Sequence, residues 1–357
     1  MKRTNKAKDT IAVVNQMKKE KPDVTKKKEY EGSTEVMIST GSTTLDLSIT
    51  GGRVRGGGIP SGIMVEAFGP SGAGKTVLLC EIAGDVQRKG GDAMFQDPEA
   101  RLNKQFARMF DLEIKPENYS NPDKVPEVFK KIREWSPEEP DLINGVFVDS
   151  LAALSTDIEM DNDEGDKMGM RRAKEFSEGL RKIARVLAQK NLLLVCSNQI
   201  RESQATQGPK VLSPGGKAIG FYSSLRLRFM NPVKLKKTKT IKGKTVERVI
   251  GVSVDVEVFK SSVWKPHQKA TLYIIFDYGI DDIRANLQYV KDFTGANKYM
   301  VNETPLYVSL DKSIQMVEEN GLVDDLKEQV IDLWESIEEQ FEMERKPKQR
   351  CPIKKNI

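Results

Sequence analysis

The residues best suited to chemistry form one glycine-rich segment, Gly69-Pro70-Ser71-Gly72-Ala73-Gly74-Lys75-Thr76. It matches the pattern G-x-x-x-x-G-K-[ST], and it lies between a predicted strand and a predicted helix, as that pattern requires. Glycines let such a loop curl until its backbone N–H groups face phosphate oxygens, and the following helix adds the positive end of its dipole. Lys75 is then placed for the β- and γ-phosphates of ATP, and Thr76 for Mg²⁺. A chance match in a glycine-rich turn is the alternative, which the flanking elements disfavour. We expect residues 69–76, together with Val77, to hold the nucleotide.

Two further acidic positions fit a nucleotide site. The apolar run Gly145-Val146-Phe147-Val148 ends in Asp149, and ligands gather at the carboxyl ends of parallel strands. The Asp149 carboxylate is predicted to hold Mg²⁺ directly or through water, with Ser150 in support. Glu99 follows another predicted strand and is the candidate base for activating water. The alternative is that Asp97 and Glu99 only cap the helix that follows them.

A third predicted strand ends in amides rather than acids, in the run Ser197-Asn198-Gln199-Ile200-Arg201. An amide can bond a γ-phosphate and move when that group leaves, so Gln199 is predicted to sense the nucleotide state. Residues 202–214 follow this strand, and residues 156–167 come after the strand that ends in Asp149. Both segments are polar and are predicted to be loops. The acids of the first loop miss the spacing of a calcium-binding EF-hand, which disfavours a metal site there.

These residues need a sheet to bring them together. From about residue 35, short apolar runs alternate with helical patterns, which is typical of an α/β fold with a mostly parallel sheet. The predicted strands are Ile63–Phe68, Ala93–Asp97, Gly145–Asp149, Leu192–Cys196, Leu225–Phe229 and Thr271–Phe276, with a lysine-rich hairpin region over Val233–Val249 and Val252–Lys260. We predict three parts: a basic N-terminal arm (1–34), a nucleotide-binding core (35–282), and a small helical C-terminal domain with a basic tail (283–357).

The composition of the chain argues against several other classes of protein. With one histidine, His267, and three widely spaced cysteines, the chain of 357 residues offers neither a site with two imidazoles nor a disulfide framework. Two cysteines, Cys80 and Cys196, are expected to be buried, and Cys351 to lie in the tail. No apolar run reaches the length of a membrane span, and we expect a cytoplasmic protein.

The N-terminal arm is strongly basic. Residues 1–30 carry ten Lys or Arg against four Asp or Glu, which favours a polyanionic partner, although a solvated linker is the alternative. Ile11, Val14 and Met17 share one side of a helix with too little core of its own. We expect this helix to dock elsewhere, for example on a neighbouring subunit.

Taken together, the motifs resemble those of the RecA family of DNA recombinases. In the same order and nearly the same spacing, the chain carries Ser39-Thr40-Gly41-Ser42, the phosphate loop, Asp97 to Glu99, Val148-Asp149-Ser150-Leu151-Ala152-Ala153-Leu154, Met168-Gly169, Asn198-Gln199-Ile200-Arg201 and Gly215-Gly216-Lys217-Ala218. The resemblance covers about residues 35–280. It implies a RecA-type P-loop ATPase core, with Glu99 as the catalytic glutamate, Gln199 as the γ-phosphate sensor and Phe106 as an aromatic packed on adenine.

The resemblance also implies DNA partners. The loops at 156–167 and 202–214 correspond to the two DNA-binding loops of the family. The candidate DNA contacts on and around them are Met168, Gly169, Arg201, Lys210, Gly215, Gly216 and Lys217. A solvated loop is the alternative for Lys210. The implied assembly is an ATP-bound helical filament on single-stranded DNA that pairs with duplex DNA and works with a loading mediator and a single-strand binding protein.

Several residues depart from the family pattern. Lys260 matches one of two lysines that reach the ATP of a neighbouring subunit, but Ser262 stands at the second position, a change expected to slow hydrolysis unless Lys265 offsets it. The Arg53–Gly58 region and the lysine-rich stretch 234–244 are additional, and both are interpreted as duplex DNA contacts. The tail over 345–355 is basic where the bacterial family's is acidic, which indicates a divergent member of the family, such as a phage-encoded relative. A ring-forming DNA motor and a nucleotide-switched scaffold with little turnover stay open as alternatives.

Overall fold

A single large sheet organises the chain. The computed structural model describes residues 36–156, 168–202, 211–212 and 216–341. Its strands are β1 Met64–Gly69, β2 Ala93–Gln96, β3 Tyr119–Ser120, β4 Asn144–Val148, β5 Leu192–Gln199, β6 Arg201–Glu202, β7 Val211–Leu212, β8 Leu225–Phe229, β9 Val233–Ile241, β10 Lys244–Ser261, β11 Lys269–Ile275, β12 Gly279–Ile280, β13 Met300–Val301 and β14 Thr304–Pro305. Ten of them form one sheet in the order β12-β11-β10-β8-β1-β5-β4-β2-β3, with β9 paired to β10.

Six strands of this sheet, from β8 to β3 in that order, are parallel. The strands from β9 to β12 extend the other side with antiparallel pairs. The mostly parallel α/β sheet predicted from the sequence is therefore confirmed. The parallel part places the carboxyl ends of β1, β2, β4 and β5 along one edge, where a ligand site is expected.

Helices cover both faces of the sheet. The helices are α1 Thr43–Asp46, α2 Lys75–Arg88, α3 Lys104–Arg108, α4 Val125–Glu134, α5 Met168–Gln189, α6 Gly216–Tyr222, α7 Asp282–Thr294, α8 Leu310–Glu319 and α9 Val323–Glu339. Because side chains alternate along a strand, β5 sends Leu193 and Val195 into the cluster under α2, and Leu192 and Leu194 into the cluster under α4 and α5. Burial on both faces explains why the central strands are continuous apolar runs.

The C-terminal helices share a third hydrophobic cluster. It joins Leu287 and Val290 of α7 to Val330 and Trp334 of α9, and it includes Leu47 from the π-helical turn after α1. Among the described residues, no helix is both long enough and apolar enough to cross a membrane. The predicted boundary at residue 282 falls where α7 begins.

The predicted strands agree with the structure to within a few residues, but the lysine-rich hairpin is divided differently. Its turn lies at Lys242-Gly243, where both residues have positive φ (48° and 76°), as a two-residue hairpin turn requires. Strand β10 then runs without a break from Lys244 to Ser261, with only a register shift between Val249 and Gly251. The predicted gap between Val249 and Val252 is therefore wrong: it is an irregularity within one strand.

The two cysteines that were predicted to be buried, Cys80 and Cys196, are buried in the structure. Within the second predicted loop, 202–214, Glu202 belongs to β6 and Val211–Leu212 form β7, and these two strands pair with each other. The basic arm, Cys351 and most of both predicted DNA loops lie outside the described residues, and so do Lys210 and Gly215.

Candidate nucleotide site

The phosphate loop connects β1 to α2, and its glycines are required by close packing. Gly74 has φ +89° and a side chain there would begin 2.1 Å from Ile274 Cδ1, while one on Gly69 would begin 2.6 Å from the carbonyl oxygen of Phe229. Gly72 has open space around it. The loop can therefore keep its curled backbone only with glycine at these tight positions, and its open side is left for a ligand.

Lys75 begins α2 and is folded back over the loop. Its Nζ donates to the carbonyl oxygens of Gly69 (3.1 Å) and Pro70 (2.6 Å). Burial lowers the pKa of Lys75, and the nearby carboxylates of Asp149 and Glu99 oppose that shift. A buried ammonium beside a curled loop of backbone N–H groups is suited to neutralise a phosphate.

Thr76 and Asp149 meet beside the loop. Thr76 Oγ1 donates to Asp149 Oδ2 at 2.5 Å, and Ser197 Oγ, on β5, donates to Asp149 Oδ1. Burial raises the pKa of Asp149, and these two hydrogen bonds act against that shift. One carboxylate and one hydroxyl, both oxygen donors, fit the incomplete protein shell that Mg²⁺ takes when phosphates and water complete it. Among the described residues there is no cluster of three or more His, Cys, Asp or Glu that could hold a metal alone.

Glu99 lies between two other strand ends. Ser150 Oγ donates to Glu99 Oε1 at 2.7 Å, and Gln199 Nε2 lies 3.5 Å from the same oxygen. Gln199 is in register with Gly69, the first residue of the phosphate loop. The structure thus brings together five residues that the sequence singled out: Lys75, Thr76, Asp149, Glu99 and Gln199.

The alternative role for the acids after β2, capping the next helix, is not what the structure has. Helix α3 begins at Lys104 and is capped by Asn103, whose side chain accepts from Phe106 N at 2.8 Å. Asp97 instead accepts from Leu102 N (2.7 Å) and from the Tyr119 hydroxyl (2.9 Å). Asp97 therefore shapes the turn that carries Glu99. The Glu99 carboxylate itself is held by Ser150 and by an ion pair with Arg101 at 2.7 Å.

The remaining predicted residues lie elsewhere. Phe106, on α3, packs against the hydrophobic core with its ring 5.1 Å from that of Phe110. Lys260, on β10, donates to the carbonyl oxygens of Gly220 and Ser223 (both 2.8 Å) at the end of α6. Lys217 is exposed on the same helix. Met168 and Gly169 open α5, Arg201 lies in β6, and Gly216 opens α6.

Sequence reasoning missed the contribution of Ser197. It stands within the polar run after the third apolar strand, but only the parallel neighbour relation of β5 and β4 places its hydroxyl on Asp149. The order of strands in the sheet carries that information, and the local pattern does not.

A glycine-rich loop that opens a helix, a buried lysine and a Thr–Asp pair at the carboxyl ends of parallel strands define a P-loop nucleotide-binding protein. A family model, the RecA N-terminal domain, matches residues 9–281 of the chain. The chain therefore belongs to the RecA family, and it is a RecA-like DNA recombinase.

Individual relatives agree with this assignment. The chain is 33% identical to the Protein RecA of Thermus thermophilus over 251 residues, which is 69% of each chain. It is 35% identical to the Protein RecA of Borrelia duttonii over 244 residues, 68% of this chain and 64% of that one. The Protein RecA of Rippkaea orientalis is 29% identical over 299 residues, 82% of this chain and 81% of its own.

Proposed function

We propose that this protein is a DNA-dependent ATPase that forms helical filaments on single-stranded DNA and uses ATP to drive homologous pairing and strand exchange. The observation that carries the proposal is the convergence of Glu99 and Gln199, within 3.5 Å of each other, on the same sheet edge as the phosphate loop. A carboxylate and an amide placed together beside Lys75 can respectively activate water and sense the γ-phosphate.

The roles of the individual residues follow from their chemistry. The loop N–H groups and Lys75 bind the phosphates of ATP, and Thr76 with Asp149 holds Mg²⁺, which neutralises phosphate charge when it is bound. Ser197 keeps the Asp149 carboxylate oriented. Glu99, fixed by Ser150, orients and deprotonates the attacking water, and Phe106 packs on adenine.

Coupling to DNA begins at Gln199. The chain passes from Gln199 directly into β6 and the second DNA loop, and it returns through β7 into α6. A change of Gln199 on loss of the γ-phosphate therefore moves the second DNA loop, which carries Lys210, and its flanks, where Arg201, Gly215 and Gly216 lie. Together with Lys217, Met168 and Gly169, these residues hold the DNA backbone, so binding weakens steeply with salt.

In this proposal the filament contacts come from the N-terminal arm and from strand β10. The helix around residues 11–17 docks on the adjacent subunit, and Lys260 reaches the ATP of the neighbour, where it stabilises charge in the transition state. Ser262, at the second family lysine position, donates to Ser224 O at 3.1 Å. Lys265 lies 3.3 Å from Glu338 in an ion pair, so its charge is already matched within the chain. Turnover is therefore slower than two free lysines would give.

The test compares ATP hydrolysis with and without single-stranded DNA in the wild type, Lys75→Ala and Glu99→Gln, with negative-stain imaging of each sample. The matched controls are Lys130→Ala and Glu117→Gln, both exposed and away from the site. We expect DNA-stimulated turnover and filaments in the wild type. Lys75→Ala loses nucleotide binding, whereas Glu99→Gln keeps binding and filaments but loses about 10²-fold or more in turnover.

Two outcomes would overturn the proposal. Rings, or turnover that is indifferent to DNA, would favour a DNA motor. Filaments that form with ATP but hardly hydrolyse it in the wild type would favour a nucleotide-switched scaffold, which the serine at position 262 makes chemically reasonable.

A further inference from the structure

An ion pair lies inside the sheet next to the nucleotide site. Glu66 of β1 is fully buried, and its Oε2 accepts from Arg226 Nε, on β8, at 2.6 Å. The two residues face each other in the parallel register of β1 and β8. The Arg226 side chain is only 16% exposed.

Aromatic rings hold the arginine in place. The Arg226 guanidinium lies 4.5 Å from the centre of the Phe68 ring and 5.4 Å from that of Phe259, and the two rings meet edge to face at 5.6 Å. Replacing a buried ion pair by apolar side chains of similar volume is often neutral or stabilising, so a buried ion pair is weak evidence of a stabilising role. A buried pair with this many fixed contacts is therefore better explained by positioning than by stability.

On one side the pair holds the nucleotide sensor. Asn198 Nδ2 donates to Glu66 Oε1 at 3.0 Å. Asn198 is the residue immediately before Gln199, and Gln199 lies 3.5 Å from Glu99. Glu66 thus fixes the end of β5 at the point where it enters the site.

On the other side the pair supports α6 and Lys260. The Arg226 guanidinium lies under Gly220, where a Cβ atom would be only 3.0 Å from Nη1. Lys260 Nζ bonds the carbonyl oxygens of Gly220, Phe221 and Ser223 at 2.8, 3.1 and 2.8 Å, so it closes the C-terminal end of α6. The same helix begins at Gly216, where the second DNA loop ends.

From these contacts we infer that Glu66 and Arg226 are positioning residues that join the Asn198–Gln199 end of β5 to α6 and Lys260. They make the two ends of the second DNA loop, and the lysine offered to the neighbouring subunit, respond together to the nucleotide. The inference rests on the proposed ATP-dependent DNA binding and specifies how that binding is regulated. Neither residue touches the nucleotide in this role.

The experiment measures how strongly the bound nucleotide changes the affinity for DNA, and it does not measure ATP hydrolysis. In the full-length protein, the dissociation constant of a labelled single strand is measured by fluorescence anisotropy with ADP and with a non-hydrolysable ATP analogue. The ratio of the two constants is the coupling. The variants are Glu66→Gln, Arg226→Gln, their double mutant and Arg226→Lys. The control is Glu257→Gln, which breaks the adjacent Arg228–Glu257 ion pair between β8 and β10.

We expect each single substitution to lower the ratio by about fivefold or more, with nucleotide affinity in the absence of DNA changed by no more than about twofold. The double mutant should lose no more than the worse single one, because both act through one contact. Arg226→Lys keeps the charge but loses the fixed guanidinium geometry, so it should be intermediate.

A ratio equal to the wild type's in folded Glu66→Gln, or an equal loss in Glu257→Gln, would overturn the inference. If Glu66→Gln does not fold, Arg226→Lys takes its place: a ratio equal to the wild type's, or a loss no larger than that of Glu257→Gln, would overturn the inference. A wild type whose DNA affinity does not depend on the nucleotide would instead contradict the proposed function, so the two failures are distinguishable.

Discussion

A buried carboxylate outside the residues of the nucleotide site, that of Asp46, has a raised pKa. Asp46, at the end of α1, is buried and accepts from Thr40 N (2.8 Å), Thr40 Oγ1 (2.7 Å) and Ser39 Oγ (2.5 Å). Burial raises its pKa to about 7 even though these hydrogen bonds favour the ionised form. The Ser39-Thr40 segment, one of the family motifs, therefore serves here to hold a buried acid.

This acid should make stability depend on pH. The pKa of Asp46 is about 7 in the folded chain, against an ordinary value of 3.8, so the folded state holds this proton more tightly than the unfolded state. The resulting stabilisation of the folded state is fully present below about pH 4 and is lost as the pH rises toward 7. At about 1.4 kcal/mol per pKa unit, the loss approaches about 4 kcal/mol. Asp46→Asn should remove this part of the pH dependence. Urea unfolding from pH 4 to 8 tests it, with exposed Asp325→Asn as the control; parallel wild-type and Asp46→Asn curves would contradict it.

Among the elements, the ribbon formed by β9 and the start of β10, residues 244–249, stands out because nearly all of its residues are exposed to solvent. Every residue of β9 except Leu235 is exposed. Lys237 faces Arg248 directly across the ribbon, and like charges in such a pair repel. Lys236 and Lys237 have acidic partners, Glu247 and Asp311, both at 2.8 Å. Among the described residues, Lys239, Lys242 and Lys244 have no ion pair, so the tip is suited to a polyanion such as the duplex DNA backbone.

Removing the charge at the tip should weaken duplex binding without affecting the fold. We expect the triple variant Lys239→Ala, Lys242→Ala, Lys244→Ala to bind duplex DNA less tightly. Its plot of log affinity against log salt should be shallower, by about 0.9 for each phosphate that the tip no longer neutralises. Single-strand-stimulated ATP hydrolysis should be unchanged. Anisotropy over a salt series measures the change in affinity and in slope, with alanines at the exposed Lys130, Lys182 and Lys298 as the matched control. Equal slopes in the two triple variants would rule out a specific role for the ribbon.

The ribbon also shows how far elements can be predicted from sequence. The central strands were predictable because burial on both faces leaves an apolar run, as in Leu192 to Cys196. A solvated ribbon has no such requirement, so its turn and the continuity of β10 were not readable from the pattern. The phosphate loop was predictable because its chemistry is local. The contact of Ser197 with Asp149 and that of Glu66 with Arg226 were not, because each joins strands far apart in the chain.

At the scale of the whole molecule, the segment between α1 and β1 ties the C-terminal helices to the core. Arg55 lies 2.7 Å from each of Glu328, Asp332 and Glu335 on α9. The interpretation of the Arg53–Gly58 region as a duplex DNA contact is therefore not supported for Arg55, whose charge is matched by three carboxylates. The backbone of the same segment also packs closely at Gly52, where a Cβ atom would lie 2.2 Å from the ring of Trp264. Trp264 packs against the hydrophobic cluster of the C-terminal helices.

Beneath these ion pairs, Trp334 of α9 packs against Trp264 at 5.4 Å between ring centres and is 6% exposed. Apolar burial should outweigh exposed ion pairs in holding the C-terminal helices. We expect Trp334→Ala to lower the free energy of unfolding by about 3–5 kcal/mol. Arg55→Ala should have a much smaller effect that disappears at high salt, because its partners are exposed.

Chemical unfolding followed by circular dichroism at low and high salt measures the free energy of unfolding of Trp334→Ala and Arg55→Ala. The control is Phe341→Ala, which removes an exposed aromatic side chain just beyond α9. If Arg55→Ala were the more damaging change, and remained so in high salt, the C-terminal helices would be held by the charged contact rather than by the shared hydrophobic cluster. In that case ionic strength alone should detach them from the core, which limited proteolysis of the wild type would reveal as salt-dependent cleavage before α7.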